Sequence, residues 1–171
     1  MEILDIADEY GNLTGETADR NKVHDLCLWH WEIAVFVVNS NKQLLLQKRA
    51  ATKRFNPNMW GLCAGHVDSG EGLEETALRE LEEEIGIQFK LEDLNVLVEK
   101  DVRKDPDNYH FTKYYYVVCD RDDFKIQEEE VSEVKWFDID EVIRMILNED
   151  KTIVIKMDRL HLVEMLKEIY N

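Results

Sequence analysis

The chain is 171 residues long, 44% hydrophobic and 34% charged, with a formal net charge of −16. That length and apolar content suit one domain with its own core, residues 1–171. The acidic balance excludes nucleic acid and anionic membrane surfaces as partners, because gripping a phosphate backbone needs a net basic face.

Three widely spaced cysteines, Cys27, Cys63 and Cys119, form no CxxC pattern, which predicts reduced thiols rather than a disulfide framework. No basic region followed by an apolar run opens the chain, and no apolar stretch approaches ~18 residues. The expectation is a cytoplasmic protein.

In chain order, Ile3 and Ile6 alternate with acids ahead of Tyr10-Gly11-Asn12, predicting an N-terminal β-ribbon in residues 1–22, with the core in 23–171. Asp5, Asp8 and Glu9 read as a solvated ribbon face, since no EF-hand spacing follows. His24 and His30 bracket an apolar run, and the near-continuous apolar segment from Trp31 predicts a buried strand. Asn39-Ser40-Asn41 is a turn, and Gln43 to Gln47 returns as a second strand. The partners of the histidines cannot be identified from spacing.

Lys48, Arg49, Lys53 and Arg54 then form the one dense basic cluster of an acidic chain, on the loop leading to Asn56-Pro57 and Trp60. Such a loop is either solvated surface or an arm that neutralises the charge of a diphosphate.

The most informative stretch is Gly65 to Ile87, GHVDSGEGLEETALRELEEEIGI. Leu73, Ala77, Leu81 and Ile85 recur every four residues, which predicts a loop followed by a helix with one packed edge, stopped at Gly86. At about 100° per residue, Glu80 and Glu84 lie about 40° apart with Glu83 one step round. Like charges so placed destabilise a helix by roughly 0.2–0.5 kcal/mol per pair unless a cation compensates. Clustered carboxylates are hard ligands suited to Mg2+ or Mn2+; a solvated acidic face is the alternative.

Beyond it, Leu94 to Val102 and Tyr114 to Cys119 read as strands separated by a polar turn over Lys104 to Asn108, and Val131 to Phe137 as another with Trp136 packed. Asp138 caps a helix through Leu147, and Asp158 a last helix ending near Tyr170. Strands interleaved with three helices suggest a mixed sheet between helical layers.

Gly65, Glu71, Arg79, Glu80, Leu81, Glu83, Glu84, Gly86 and Ile87 fill every fixed position of G-x5-E-x7-R-E-U-x-E-E-x-G-U, where U is a bulky aliphatic. The stretch resembles an intact Nudix box, which implies an α/β/α sandwich with a mixed β-sheet, here preceded by the ribbon. His30 with VFVVN after it, LLLQKRA, KRFNP with Trp60, and the Ala64-Gly65-His66 triplet further resemble the isopentenyl-diphosphate isomerase-like branch, over roughly residues 20 to 90. In true isomerases a catalytic cysteine directly precedes the Gly-His pair, where this chain has Ala64, with Cys63 one residue earlier. They also carry a glutamate pair ahead of the strand at Tyr114, aligned here with Phe111 and Lys113, and their box is degraded.

These departures favour hydrolysis of a diphosphate linkage, in a nucleoside diphosphate or related X-linked diphosphate. The alternatives are isopentenyl-diphosphate delta-isomerisation, disfavoured by the missing thiol, and a non-catalytic metabolite-sensing module, disfavoured by the intact glutamates. The resemblance implies Mg2+ or Mn2+ held by Glu80, Glu83, Glu84 and the Gly65 carbonyl, with Glu71 and Arg79 bracing the loop by ion pairing. Either Glu80 or a loop acid, such as one in Glu128-Glu129-Glu130, would take the proton. Lys48, Arg49, Lys53 and Arg54 are the candidate substrate-binding residues. The partner expected is a small-molecule diphosphate; a homodimer is compatible with the sequence.

Overall fold

The computed structural model describes residues 1–170. An N-terminal ribbon pairs β1 (Ile3–Ala7) with β2 (Leu13–Asp19), and a short helix α1 (Arg20–Asp25) follows. Asp8 closes the ribbon turn by accepting from the backbone N–H groups of Tyr10 and Asn12, both at 2.9 Å. Leu4, Ile6 and Val23 give this corner its own small core.

The main sheet runs in the order β5 (Trp60–Gly61), β4 (Gln43–Arg49), β3 (His30–Val38), β8 (Asn108–Val118), β7 (Asn95–Asp105). Two further strands lie off that path: β6 (Cys63–His66) pairs with β3, and β9 (Val131–Asp138) with β4. β3 and β8 are parallel while the other pairs are antiparallel, so the sheet is mixed.

Alternation along β3 explains the layers, since successive side chains of a strand point to opposite faces. Ile33, Val35 and Val37 pack with Ala77, Leu81 and Ile85 of α2 (Leu73–Ile85). Ala34, Phe36 and Val38 pack with Val142 and Ile146 of α3 (Ile139–Leu147) and with Leu162, Val163 and Leu166 of α4 (Leu160–Ile169). The result is the expected α/β/α sandwich, with a continuous apolar run in β3 because both of its faces are covered.

Four details differ from the sequence reading. β8 begins at Asn108 rather than Tyr114, because His110, Thr112 and Lys113 are buried polar residues in a full register with β3. Helix α1 is an addition, one and a half turns fixed by Asp19, whose carboxylate accepts from the Lys22 N–H at 3.2 Å. Asp138 holds the N-cap position of α3 but makes no capping bond; its carboxylate accepts from the Gln43 amide at 3.4 Å. Asp158 does not cap the last helix: it lies in a 3-10 turn (Met157–Arg159) and pairs with Arg103, and α4 begins at Leu160.

Gly86 ends α2 in the left-handed region, at φ 72°, and a Cβ there would sit 2.6 Å from the Cβ of Lys125 and 2.7 Å from its carbonyl oxygen. Gly86→Ala should therefore lower stability by roughly 2 kcal/mol or more, from backbone strain and overlap together. Urea unfolding reads this directly, and an unchanged midpoint would contradict it.

Candidate active site

The site forms where the sheet splits. One edge of β3 is shared between two strands, β4 at Val37–Val38 and β6 at Glu32–Val35. β4 diverges to pair with β5 and β9. Glu84 of α2 reaches both lips of the split: its Oε2 accepts from the Gln47 amide of β4 at 2.5 Å, and the Cys63 thiol of β6 donates to the same carboxylate.

The Gly65 backbone packs closely against Glu80, since a Cβ at that position would lie 2.1 Å from Glu80 Oε1. Only glycine leaves room there for a carboxylate. The Arg79 guanidinium serves several carboxylates at once. Its Nε and Nη2 donate to the two oxygens of Glu71 at 2.8 and 2.9 Å, and Nη1 to Glu80 at 2.9 Å and Glu83 at 3.2 Å. Asp68 stands 3.7 Å away. Thr76 adds a hydroxyl bond to Glu71 at 2.7 Å. This fork geometry, two parallel N–H bonds to one carboxylate, suits arginine and not lysine.

Electrostatics separate these acids. The Arg79 hydrogen bonds hold Glu71 below the usual carboxylate range. Burial, with the neighbouring charges of Glu84 and Glu83, pushes Glu80 up to about 8 despite Arg79. Burial likewise pushes Glu84 up to about 7, against the bonds from Gln47 and Cys63. Glu83 is exposed. The donor set of three carboxylates on one helix, two of them sunk where charge is costly, fits a divalent cation.

The ribbon holds the loop that leads into α2. Ser69 and Gly70 bond to the Asp5 carboxylate at 2.7 and 2.9 Å, and the Ser69 N–H donates to the Ile3 carbonyl at 2.8 Å. Asp5 is thus a loop anchor rather than a solvated face. The first turn of α2 is held as well, because Lys113 and the Tyr115 hydroxyl both donate to Glu74 at 2.9 Å.

The basic cluster divides. Arg49 stands near Glu84 and lowers its proton affinity, while its Nε donates to the Phe55 carbonyl at 2.9 Å. Lys53 pairs with Glu130, itself near enough to Glu84 to raise its proton affinity. Lys48 instead lies 5.9 Å from the Trp60 ring centre, and Arg54 5.1 Å from that of Phe55. Two of the four cations thus turn to aromatic rings: alternation along β4 sends Lys48 to the face opposite Arg49, and Arg54, on the loop beyond β4, lies over its neighbour Phe55.

A second group was not legible from spacing. His24, His30 and His66 bring ligand atoms within 4.8 Å of one another, a donor set able to hold a cation. Glu32 lies among them, 3.3 Å from His30 Nε2, 3.4 Å from His66 Nε2 and 3.6 Å from His110 Nε2. Burial opposes its charge, but the His30 bond and the His110 and His66 imidazoles outweigh this and hold Glu32 well below the usual range. Burial, with His66 and His30 close by, lowers His24 to about 4. His30 and Glu32 lie two apart on β3, and His66 is the register partner of Glu32; the first spacing was visible in sequence, the second only in the fold. Phe111 and Lys113 do not face this group, since His110 and Thr112 occupy the histidine side of β8 and Phe111 and Lys113 the other. The separation of Cys63 from Ala64 is as expected: Cys63 is buried against α2 and Ala64 is exposed.

The raised carboxylates have a consequence for stability. With folded values of about 8 and 7 for Glu80 and Glu84 against 4.5 unfolded, the folded chain holds protons that the unfolded chain has lost. In metal-free protein these two acids should therefore take stability away as pH rises from about 4.5 to about 8, against the opposite contribution of His24 between about 4 and 6.5. Thermal melts in EDTA should show Glu84→Gln gaining on wild type across this window; parallel curves would contradict the assignment.

A family model described as NUDIX domain matches residues 28–157. Isopentenyl-diphosphate Delta-isomerase 2 of Photorhabdus laumondii is 34% identical over 141 residues, 81% of this chain and 78% of that protein. An uncharacterized Nudix hydrolase of Clostridium acetobutylicum is 34% identical over 156 residues, 86% of this chain and 75% of its own length. The crystal structure of DR0079 from Deinococcus radiodurans superposes with a TM-score of 0.76 at 23% identity, covering 95% of this chain and 98% of that one. With the family model spanning most of the sequence and the relatives sharing about a third of their residues, the chain belongs to the Nudix family as a Nudix hydrolase, of the class that acts on diphosphate-linked substrates.

Proposed function

We propose that this single domain hydrolyses a diphosphate linkage, in a nucleoside diphosphate or related X-linked diphosphate, with Mg2+ or Mn2+ held by Glu80, Glu83, Glu84 and the Gly65 carbonyl. The observation that carries the reading is the pair of acids Glu80, half-buried, and Glu84, buried, whose charge is unfavourable in the metal-free chain and which share α2 with Glu83. A divalent cation held by these residues would supply charge neutralisation for the diphosphate and a lowered pKa for a water.

The chain's own residues do the rest. Arg79, forked onto Glu71, ties the box loop to α2 and keeps Gly65 against Glu80. Arg49 and Lys53 are the members of the basic arm placed to meet phosphate oxygens, Lys53 after leaving Glu130. The attacking water's proton goes to Glu80 or to Glu130, the member of the acidic loop whose field reaches Glu84. The acidic surface leaves the substrate as a small molecule, without nucleic acid or membrane partners.

Isomerisation of isopentenyl diphosphate is a second reading, favoured by the name of the Photorhabdus relative. It needs an acid and a base on opposite faces of an allylic carbon, within about 3 Å of the protons moved. Ala64 supplies no thiol, and burial beside Glu84 pushes the Cys63 thiol well up. The histidine side of β8 offers His110 and Thr112 where that reading needs a carboxylate.

Diphosphate hydrolysis, scored by phosphate release, should require Mg2+ or Mn2+ and fall by roughly two orders of magnitude or more in Glu83→Gln or Glu84→Gln, since each loses a ligand charge while keeping shape. The same protein should not interconvert isopentenyl and dimethylallyl diphosphate. Full turnover in EDTA, or Cys63-dependent interconversion, would overturn the reading.

A further inference from the structure

We infer that Gln47 is a positioning residue for the metal-binding carboxylate Glu84, holding it across the split between β4 and β6. The inference rests on the reading of the box as a metal centre. Gln47 is buried at 7% exposure in a strand whose neighbours Leu44, Leu45 and Leu46 are all apolar core. A buried side-chain amide is costly unless its hydrogen bonds are made. Its amide N–H reaches Glu84 Oε2 at 2.5 Å, and Glu84 itself is 7% exposed.

The topology gives that bond a purpose. β4 and β6 do not pair with each other, because each takes a different segment of β3. The nearest backbone ladder pairs Gln47 with Gly61, two residues before Cys63, which ties the strands together but leaves the Glu84 carboxylate to be oriented by side-chain bonds. One donor comes from each lip: the Gln47 amide from β4 and the Cys63 thiol from β6. The amide is the stronger, since a thiol is a weak donor. With Oε2 engaged by Gln47, the carboxylate stands in one orientation before a cation arrives. A ligand held by its own hydrogen bonds loses less freedom on binding, and removing such an outer partner typically weakens metal affinity about 10- to 100-fold.

The test is Mn2+ binding to the full chain without substrate, followed by electron paramagnetic resonance and read on the site that Glu84→Gln weakens. Gln47→Met keeps the length and removes the donor; it should weaken that site about tenfold or more. Gln47→Asn, which keeps an amide but falls short of Glu84, should show the same loss if the methionine variant fails to fold. In a Glu84→Gln background the Gln47 substitution should add less than about twofold, because its only route to the metal is gone. Wild-type affinity in Gln47→Met and Gln47→Asn, with Glu84→Gln still deficient, would overturn the positioning role alone. A loss that persists undiminished in the Glu84→Gln background would do the same, marking Gln47 as general packing. Unchanged Mn2+ binding in Glu84→Gln would overturn the box reading and this inference with it.

Discussion

A single guanidinium set among too many carboxylates organises this molecule. Arg79 is bonded to Glu71, Glu80 and Glu83, with Asp68 close by, and Glu84 lies beyond its reach. One positive charge cannot neutralise that set, and burying the remainder is costly without a partner. Glu71 takes the bidentate bond and stays readily ionised, while Glu80 and Glu84 are pushed toward the protonated form. A divalent cation held among these carboxylates would relieve that imbalance.

The rest of the architecture keeps the crowd in place. α2 is anchored from below by Ala77, Leu81 and Ile85, none of them exposed. At its start, Lys113 and Tyr115 hold Glu74. The ribbon fastens the preceding loop through Asp5, and Glu2 reaches His66 Nδ1 at 3.1 Å, linking the ribbon to the strand that carries Gly65. The strand alternation that buries Cys63 beside Glu84 turns Ala64 outward.

Much of this was legible in the sequence, for identifiable reasons. A four-residue apolar period and a glycine stop locate α2 because one edge of it packs and its end needs φ > 0. The carboxylate spacing is helical geometry alone, so the convergence of Glu80, Glu83 and Glu84 followed from it. What was hidden depends on contacts between distant segments. The first half of β8 did not read as part of the strand because His110, Thr112 and Lys113 are polar, yet each is buried. Asp158 looked like a cap because its pairing with Arg103 spans distant segments. Gln47 was one polar residue at the end of a strand; only the packing of α2 against the sheet gives it Glu84 as a partner. The four basic residues were read as one arm, although strand alternation turns Lys48 away and Arg54 lies over Phe55 on the loop.

The central claim is that the box carboxylates hold protons which a divalent cation displaces. Metal-free protein at pH 7 in unbuffered solution, titrated with Mg2+ or Mn2+, should acidify by about one proton per chain, because ligands must be deprotonated to bind. The same titration of Glu84→Gln should release distinctly less. Saturable binding with no proton release in the wild type would contradict the account.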